Sequence, residues 1–324
     1  MNNIKLNLII DGNYVLSKLV FTLHKNNLLY GALYKSMENT ILSYKKWYPF
    51  TKTYLVSDSK EKSWRKQILQ DYKAHRKKDT DIDWQFVYKT YDEVKSNIKG
   101  ISVMESPGIE GDDFVSFIIN ETNKLGHSNV VVSNDHDIKQ LLTFNLSPLF
   151  INFMTNEMYN QEKLFLPKNY QIFIDSVKKL PNDIFNLNDN QEFILLIDKF
   201  LNRYRTSEVD NLQSLLIKVI SGDTSDNIQS VFQVTKNGKT RGIGQKGALS
   251  IYNDYYSEFG EASLSDPDMF ENIADIICEK KKISKTNIEK IVGRINENLT
   301  MVDLRVEKLP HNIVNEMKKV YGKI

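Results

Sequence analysis

The chain has 324 residues, enough to bury one large core or two ordinary ones, and its 41% apolar and 26% charged content excludes wholesale disorder. A net charge of +2 means that bulk electrostatics does not mark a nucleic-acid binder, so any such role has to show in local charge. The single cysteine, Cys278, excludes an internal disulfide and a thiolate metal cluster.

The opening run "MNNIKLNLIIDG" is too short for the apolar core of a signal peptide, and no later stretch approaches a membrane span. A cytoplasmic location is therefore expected. "KLNLII" runs into Asp11, the first of several short apolar or β-branched runs that end in an acid. A helix is predicted over 29–46. "TKTYLVS" then runs into Asp58, and a long helical stretch is predicted over 60–98. A further strand, "GISVMES", leads through Pro107-Gly108 into "GIEGDDFVSF" and the helix "DDFVSFIINETNKL", with Phe114, Phe117, Ile118 and Leu125 on one face. "NVVVSN" runs into Asp135. These runs, alternating with helices, read as parallel strands of an α/β sheet. "LSPLFINFMTNEMYN" predicts a hairpin over Thr155-Asn156, and 167–210 reads as loops and short helices. From "NLQSLLIKVI" onward the pattern is mostly helical, interrupted by "VFQVTKNGKTRGIG", where Asn237-Gly238 signals a hairpin turn. No internal repeat is evident.

In an open parallel sheet, groups at the carboxyl ends of adjacent strands converge on one edge. Asp11, Asp58, the Glu110 group and Asp135 should therefore meet. Nine carboxylates stand out: Asp11, Asp58, Glu110, Asp112, Asp113, Asp135, Asp137, Asp223 and Asp226. Each has an ordinary explanation as a helix start or a turn cap. Together they describe a cluster that stays ionised only if cations neutralise it, and oxygen ligands without His or Cys suit hard divalent ions such as Mg²⁺. The five histidines form no zinc-type pair. From Lys60 to Lys78, eight basic residues face only Glu61 and Asp71, with Trp64 and Tyr72 interleaved. Cations there would neutralise phosphates and aromatics could stack on bases, although core packing is the favoured role for Trp64. "GIGQKGALSIY", Gly242 to Tyr252, would let backbone and Lys246 approach a phosphate.

"IIDGN", "VSDSKEKSWRKQILQDYKAHR", "GIEGDD", "SNDHD", "SGDTSDNI" and "GIGQKGA", in this order, resemble the 5′-nucleases, the flap endonuclease and 5′-3′ exonuclease family, most nearly its phage ribonuclease H type. The resemblance implies an α/β fold with a PIN-like, mostly parallel central sheet flanked by helices, a helical arch, and a C-terminal helical region with a helix-two-turn-helix motif. It places the nuclease core at 1–210, the arch and bridge at 59–98, and the C-terminal region at 211–324, with the duplex-binding turn near 242–252. It implies two Mg²⁺ ions, with Mn²⁺ as a substitute. Asp11, Asp58 and Glu110, with Asp112 or Asp113 bridging, would hold the first ion, and Asp135, Asp137, Asp223 and Asp226 the second. Lys73, Arg76 and Asp135 become the catalytic group. Arg65, Lys66, Tyr72, Lys73, Arg76, Gly242, Gly244 and Lys246 become nucleic-acid contacts, with K⁺ at the turn. Expected partners are branched or flapped DNA and RNA–DNA duplex, with a single-stranded-DNA-binding protein or sliding clamp as tether. The chain is expected to act as a monomer, without a membrane, in the host cytoplasm if phage-encoded. Gly111 stands where the family usually has Ala, and residues 229–241 intervene where relatives often have only a few. A Toprim-like enzyme would leave Asp11, Asp58 and "SGDTSDNI" idle, and a non-catalytic junction binder gains nothing from an anionic cleft.

Overall fold

Leu6–Asp11 forms β1, the strand on which the sheet is built, with Leu8, Ile9 and Ile10 fully buried beside the buried Asn7. The computed structural model describes residues 6–46, 50–76, 79–133, 135, 137–143, 149–152, 157–159, 163–165, 206–208 and 211–323. The chain divides into two compact units, the first made of Met1–Ser63, Lys78–Val209 and Pro310–Ile324, the second of Trp64–Lys77 and Asp210–Leu309. The chain thus changes unit at four places: Trp64–Lys77 groups with the later unit, and the C-terminal segment groups with the earlier one.

In the first unit, β2 (Lys52–Val56), β3 (Ser102–Met104), β4 (Ser128–Val132) and β5 (Leu149–Asn152) run parallel to β1. β6 (Glu157–Tyr159), β7 (Lys163–Phe165) and β8 (Thr206–Glu208) extend the sheet antiparallel, in the order β3-β2-β1-β4-β5-β6-β7-β8. The predicted hairpin is present as β5 and β6, while its turn at Thr155-Asn156 lies outside the described residues. So does most of 167–210, except that Thr206–Glu208 is a strand and not a loop or helix.

Strand side chains alternate between faces, and both faces are covered. Leu8, Ile10, Val130 and Val132 pack with α1 (Gly12–Lys25), α2 (Leu29–Lys46) and α3 (Trp84–Asn97). The other face receives α4 (Gly111–Asn123), whose Phe114, Phe117 and Ile118 are fully buried, each worth about 1.5–3 kcal/mol. The C-terminal helix His311–Tyr321 also packs on α4: Tyr321 stacks on Tyr54 and meets Phe117 edge-on. Leu125, expected on the buried face, lies past the end of α4 and is exposed. α1 follows β1 with no intervening loop because Asp11 caps it, a helix that the strand-ending acid hid in the sequence.

The long helix expected over 60–98 is a second correction. Trp64–Gln67 is a single 3₁₀ turn, 68–75 is a run of turns, and among the described residues only α3 is a regular helix, started by Asp83, whose carboxylate accepts from the Gln85 and Phe86 amides. The cause is visible at Lys73, which has φ +57 and sends its amide to the Asp226 carbonyl, not to a carbonyl one helical turn back.

The second unit contains α6 (Asn211–Ser221), α7 (Gln245–Phe259), α8 (Met269–Lys281) and α9 (Ile288–Val302), with α5 (Gln140–Thr143) belonging to the first. α6 packs on α7 and α9. Between α6 and α7 stand the "SGDTSDNI" loop, closed by paired Asp223 and Ile228, and the antiparallel hairpin β9 (Gln233–Lys236) and β10 (Lys239–Gly242). Asn237 and Gly238 have φ of 53 and 71, as a two-residue hairpin turn requires. No helix among the described residues is long and apolar enough to cross a membrane.

Candidate metal centre

Register places the acids. β1 and β2 align Asp11 with Val56, so Ser57 and Asp58 emerge one step beyond Asp11. β1 and β4 align Ile10 with Val132, so Ser133 and Asp135 emerge on the other side of it. Two residues that sequence reasoning did not single out then knit these ends together. Asn13 Oδ1 accepts from the Asp58 amide at 3.1 Å, and Ser133 Oγ donates to Asp11 Oδ2 at 2.6 Å while accepting the Asp135 amide at 3.0 Å. Both residues lie inside quoted motifs, but their polar side chains carried no signal apart from that position.

The α4 N-terminus completes the wall. Oxygens of Glu110, Asp112 and Asp113 lie within 4.8 Å of one another. Asp113 is fully buried, and its Oδ2 accepts the Glu110 amide at 3.2 Å as one half of a capping box. Asp112 Oδ1 accepts the Asp113 amide, and Asp58 Oδ1 accepts the Gly111 amide at 2.7 Å, so the helix start also holds Asp58. Asp137 begins a 3₁₀ turn with its amide bonded to Asp135 Oδ1.

The electrostatics follow from this crowding. Burial pushes the Asp11 carboxyl up to about 7 against the bonds from Ser133 and Tyr14, and the charges of Asp58 and Asp135 push in the same direction. All donors are oxygens, and a carboxylate that resists ionisation without a counter-charge is what a hard divalent cation would relieve, so the residues fit such an ion. The metal-free chain should show this. Its folded state holds a proton on Asp11 up to about pH 7, whereas the unfolded state releases it near 3.8. Folded chains are then the proton-richer form, and this contribution to stability is lost as pH rises through about 7. In chelator, melting temperature should fall between about pH 4 and about pH 7, and Asp11→Asn should flatten that fall. Equal slopes in both proteins would contradict it.

A cleft of about 710 Å³ opens beside Asp58, lined by Asn13, Lys60, Gln85, Tyr88 and Asp92 among others. Lys60 pairs with Asp92, and the mostly buried Lys95 pairs with Asp92 and Glu105 across α3 and the loop after β3. Part of the basic excess read from Lys60 to Lys78 is therefore neutralised locally.

The remaining predicted residues lie in the second unit. Asp223 would be pushed up by burial, but Lys218 at 2.7 Å and bonds from Ser225 outweigh this and bring its carboxyl down to about 2. Asp226 accepts from the Tyr72 hydroxyl at 3.1 Å and from Arg76 Nη2 at 2.6 Å. Two expected nucleic-acid contacts are corrected here. Arg65 is buried, donates from Nε to the Met301 carbonyl at 2.9 Å and lies over the Trp64 ring; Tyr72 is buried as well. A guanidinium held by a carbonyl and an indole face cannot reach a phosphate. Trp64 packs in the core as expected, and Lys66 is half-buried. Lys73 lies over the Tyr72 ring, and the exposed Arg76 bonds Asp226 and the Ser225 carbonyl. Lys77 and Lys78 lie outside the described residues. In the Gly-rich turn, Ile243 is buried while Gly242, Gly244 and Lys246 are exposed at the start of α7.

The family model described as 5′-3′ exonuclease, N-terminal resolvase-like domain, matches residues 6–169. The 5′-3′ exonuclease of Buchnera aphidicola subsp. Acyrthosiphon pisum (strain APS) is 24% identical over 75% of this chain and 86% of its own length. A flap endonuclease Xni of Yersinia pestis bv. Antiqua (strain Angola) is 32% identical over 28% of this chain and 40% of its own length. Among solved structures, the bacteriophage T5 flap endonuclease in a pseudo-enzyme-product complex with DNA and metal ions aligns with a TM-score of 0.58 at 17% identity, covering 98% of both chains. That likeness shows a shared fold.

Proposed function

The chain belongs to the 5′-3′ exonuclease family, and from that membership we propose that it is a Mg²⁺-dependent 5′-nuclease that removes 5′ flaps and RNA primers during DNA replication. The observation that carries this is the Glu110, Asp112 and Asp113 cluster, standing on the strand-end edge where Asp11, Asp58 and Asp135 also emerge. When bound, two divalent ions supply an activated water, a clamp on the scissile phosphate and stabilisation of the leaving oxygen. Asp11, Asp58, Glu110 and Asp112 or Asp113 would hold the first ion. Asp135 and Asp137 would serve the second. No side chain acts as nucleophile.

The surrounding residues set geometry. Asn13 and the Gly111 amide fix Asp58, and Ser133 fixes both Asp11 and Asp135. Lys73 and Arg76 supply the positive charge that an anionic cage needs if a phosphate is to enter it. Arg76 holds a part-buried bond to Asp226 that a phosphate could replace. Branched or flapped DNA and RNA–DNA duplex are the proposed substrates, gripped through Gly242, Gly244 and Lys246, with K⁺ at the turn. A monomer tethered by a single-stranded-DNA-binding protein or a sliding clamp would suit that work, in the cytoplasm.

The test uses a 5′-labelled flap and an RNA–DNA duplex. Cleavage is expected with Mg²⁺, at a comparable order with Mn²⁺, and none in chelator. Binding without turnover under all three conditions would refute a catalytic role.

A further inference from the structure

The segment 229–241, where relatives often have only a few residues, forms the hairpin β9–β10, and its charge is one-sided. Between Asp226 and Asp254 the chain has no acidic residue, while Lys236, Lys239, Arg241 and Lys246 all fall there. Every residue of β10 is exposed. Lys239 and Arg241 alternate onto one face, and register sets Lys236 opposite Lys239 and the half-exposed Val234 opposite Arg241. The other face carries the Thr235–Thr240 hydroxyl pair at 2.9 Å. Like charges directly across a two-stranded ribbon are destabilising, and among the described residues the ion pairs of this unit include neither Lys239, Arg241 nor Lys246. An external anion would remove that cost.

The ribbon is held firmly at its base. The Val231 amide donates to the Ile220 carbonyl at 3.1 Å, tying the hairpin to α6, and the Ile243 amide donates to Ser230 Oγ at 2.9 Å. Its tip, Asn237-Gly238, is exposed. A rigid, cationic, two-stranded ribbon has the width that the major groove of a duplex admits. Lys239 and Arg241 stand about 6.8 Å apart along the strand, about two base-pair rises. From Gln233 to Gly242 there is no aromatic residue, so the stacking that single-strand binders use is missing.

We propose that the β9–β10 hairpin is a second duplex-binding element, which grips the phosphate backbone through Lys236, Lys239 and Arg241 beside the Gly-rich turn. The proposal rests on the 5′-nuclease reading for its substrate. The hairpin positions the duplex and takes no part in bond cleavage.

The experiment measures binding of the full chain to a blunt DNA duplex by fluorescence anisotropy over a salt series, for wild type and for K236Q/K239Q/R241Q. The variant's plot of log affinity against log salt should be shallower by about 2 to 3, since each neutralised phosphate contributes about 0.9. Its Kd at about 0.1 M salt should rise on the order of tenfold or more. On a 5′ flap, KM should rise while kcat and melting temperature stay at the wild-type values. K239E/R241E, which sets an acid opposite Lys236 and so keeps the ribbon paired, should weaken binding further. Wild-type slope and Kd in both variants would overturn the proposal, as would an equal loss of affinity for an unstructured single strand. If wild type itself neither binds duplex nor cuts, the 5′-nuclease reading falls and this falls with it. If wild type binds and cuts and the variants match it, only the hairpin's role is lost.

Discussion

Replacing Asp112 or Asp135 with asparagine should lower flap cleavage on the order of 10³-fold or more while leaving duplex affinity within about threefold of wild type. Asparagine keeps the shape and an acceptor oxygen: in Asp112→Asn the bond to the Asp113 amide can persist, and in Asp135→Asn the acceptor for the Asp137 amide can persist. What disappears is the negative charge that would hold a cation where the new charge of the transition state develops, an interaction worth several kcal/mol. Neither carboxylate helps DNA binding, because an anion near phosphate only repels it. Asp113 separates the roles. It is fully buried and closes the capping box with Glu110, so Asp113→Asn should cost melting temperature as well as rate, whereas Asp112→Asn should cost rate alone. Single-turnover cleavage in Mg²⁺ beside thermal melts decides between them. An Asp112→Asn and an Asp135→Asn protein that both cut at the wild-type rate would mean that the ions, if any, lie elsewhere.

Gly12→Ala should destabilise the first unit by on the order of 3 kcal/mol and abolish cleavage with it. A Cβ at position 12 would lie 1.9 Å from the Tyr91 hydroxyl, 2.9 Å from the Val56 carbonyl oxygen and 3.1 Å from Leu55 Cδ1. The carbonyl belongs to the β1–β2 ladder and cannot retreat without breaking the register that sets Asp58 beside Asp11. Tyr91 is buried against the same core as Leu55, so its ring has little room to move. Tyr91→Phe in the Gly12→Ala background removes the closest contact and leaves the carbonyl clash. It should therefore recover part of the lost stability in a urea titration, but not all of it. Full recovery would assign the glycine to the tyrosine alone, and a Gly12→Ala protein as stable as wild type would refute the packing argument.

Much of this molecule was legible before any coordinates. Strands that are buried on both faces read as largely apolar runs, and an acid after such a run sits where the strand leaves the core; β1, β2 and β4 follow that rule. Asn237-Gly238 declared its hairpin because few other pairs tolerate two left-handed residues in succession. The helix Gly12–Lys25 was hidden because its cap, Asp11, also ends a strand, and one residue cannot announce both roles.

The basic stretch shows where local pattern fails. From Lys60 to Lys78 the sequence offers a row of cations and aromatics, a pattern equally compatible with an exposed nucleic-acid surface and with a buried turn. Arg65 went to the interior because a backbone carbonyl from α9 and the Trp64 ring satisfy it there, and Tyr72 because Asp226 accepts its hydroxyl proton. The Met301 carbonyl and Asp226 lie 236 and 154 residues away from Arg65 and Tyr72, so no window along the chain could register them.

By itself, then, the sequence determined which residues end strands, which helix begins with three acids, where the hairpin turns and that no thiolate cluster could serve a metal. These follow from periodicity and from side-chain chemistry, which are properties of short stretches. Only the tertiary structure decided that Asn13 and Ser133 tie the acids together, that Asp113 is buried as a cap, that Arg65 and Tyr72 turn inward, and that Lys239 and Arg241 stay exposed on β10. The reason is physical: burial and hydrogen-bond satisfaction depend on which distant groups arrive at the same place, and that is set by strand register and helix packing.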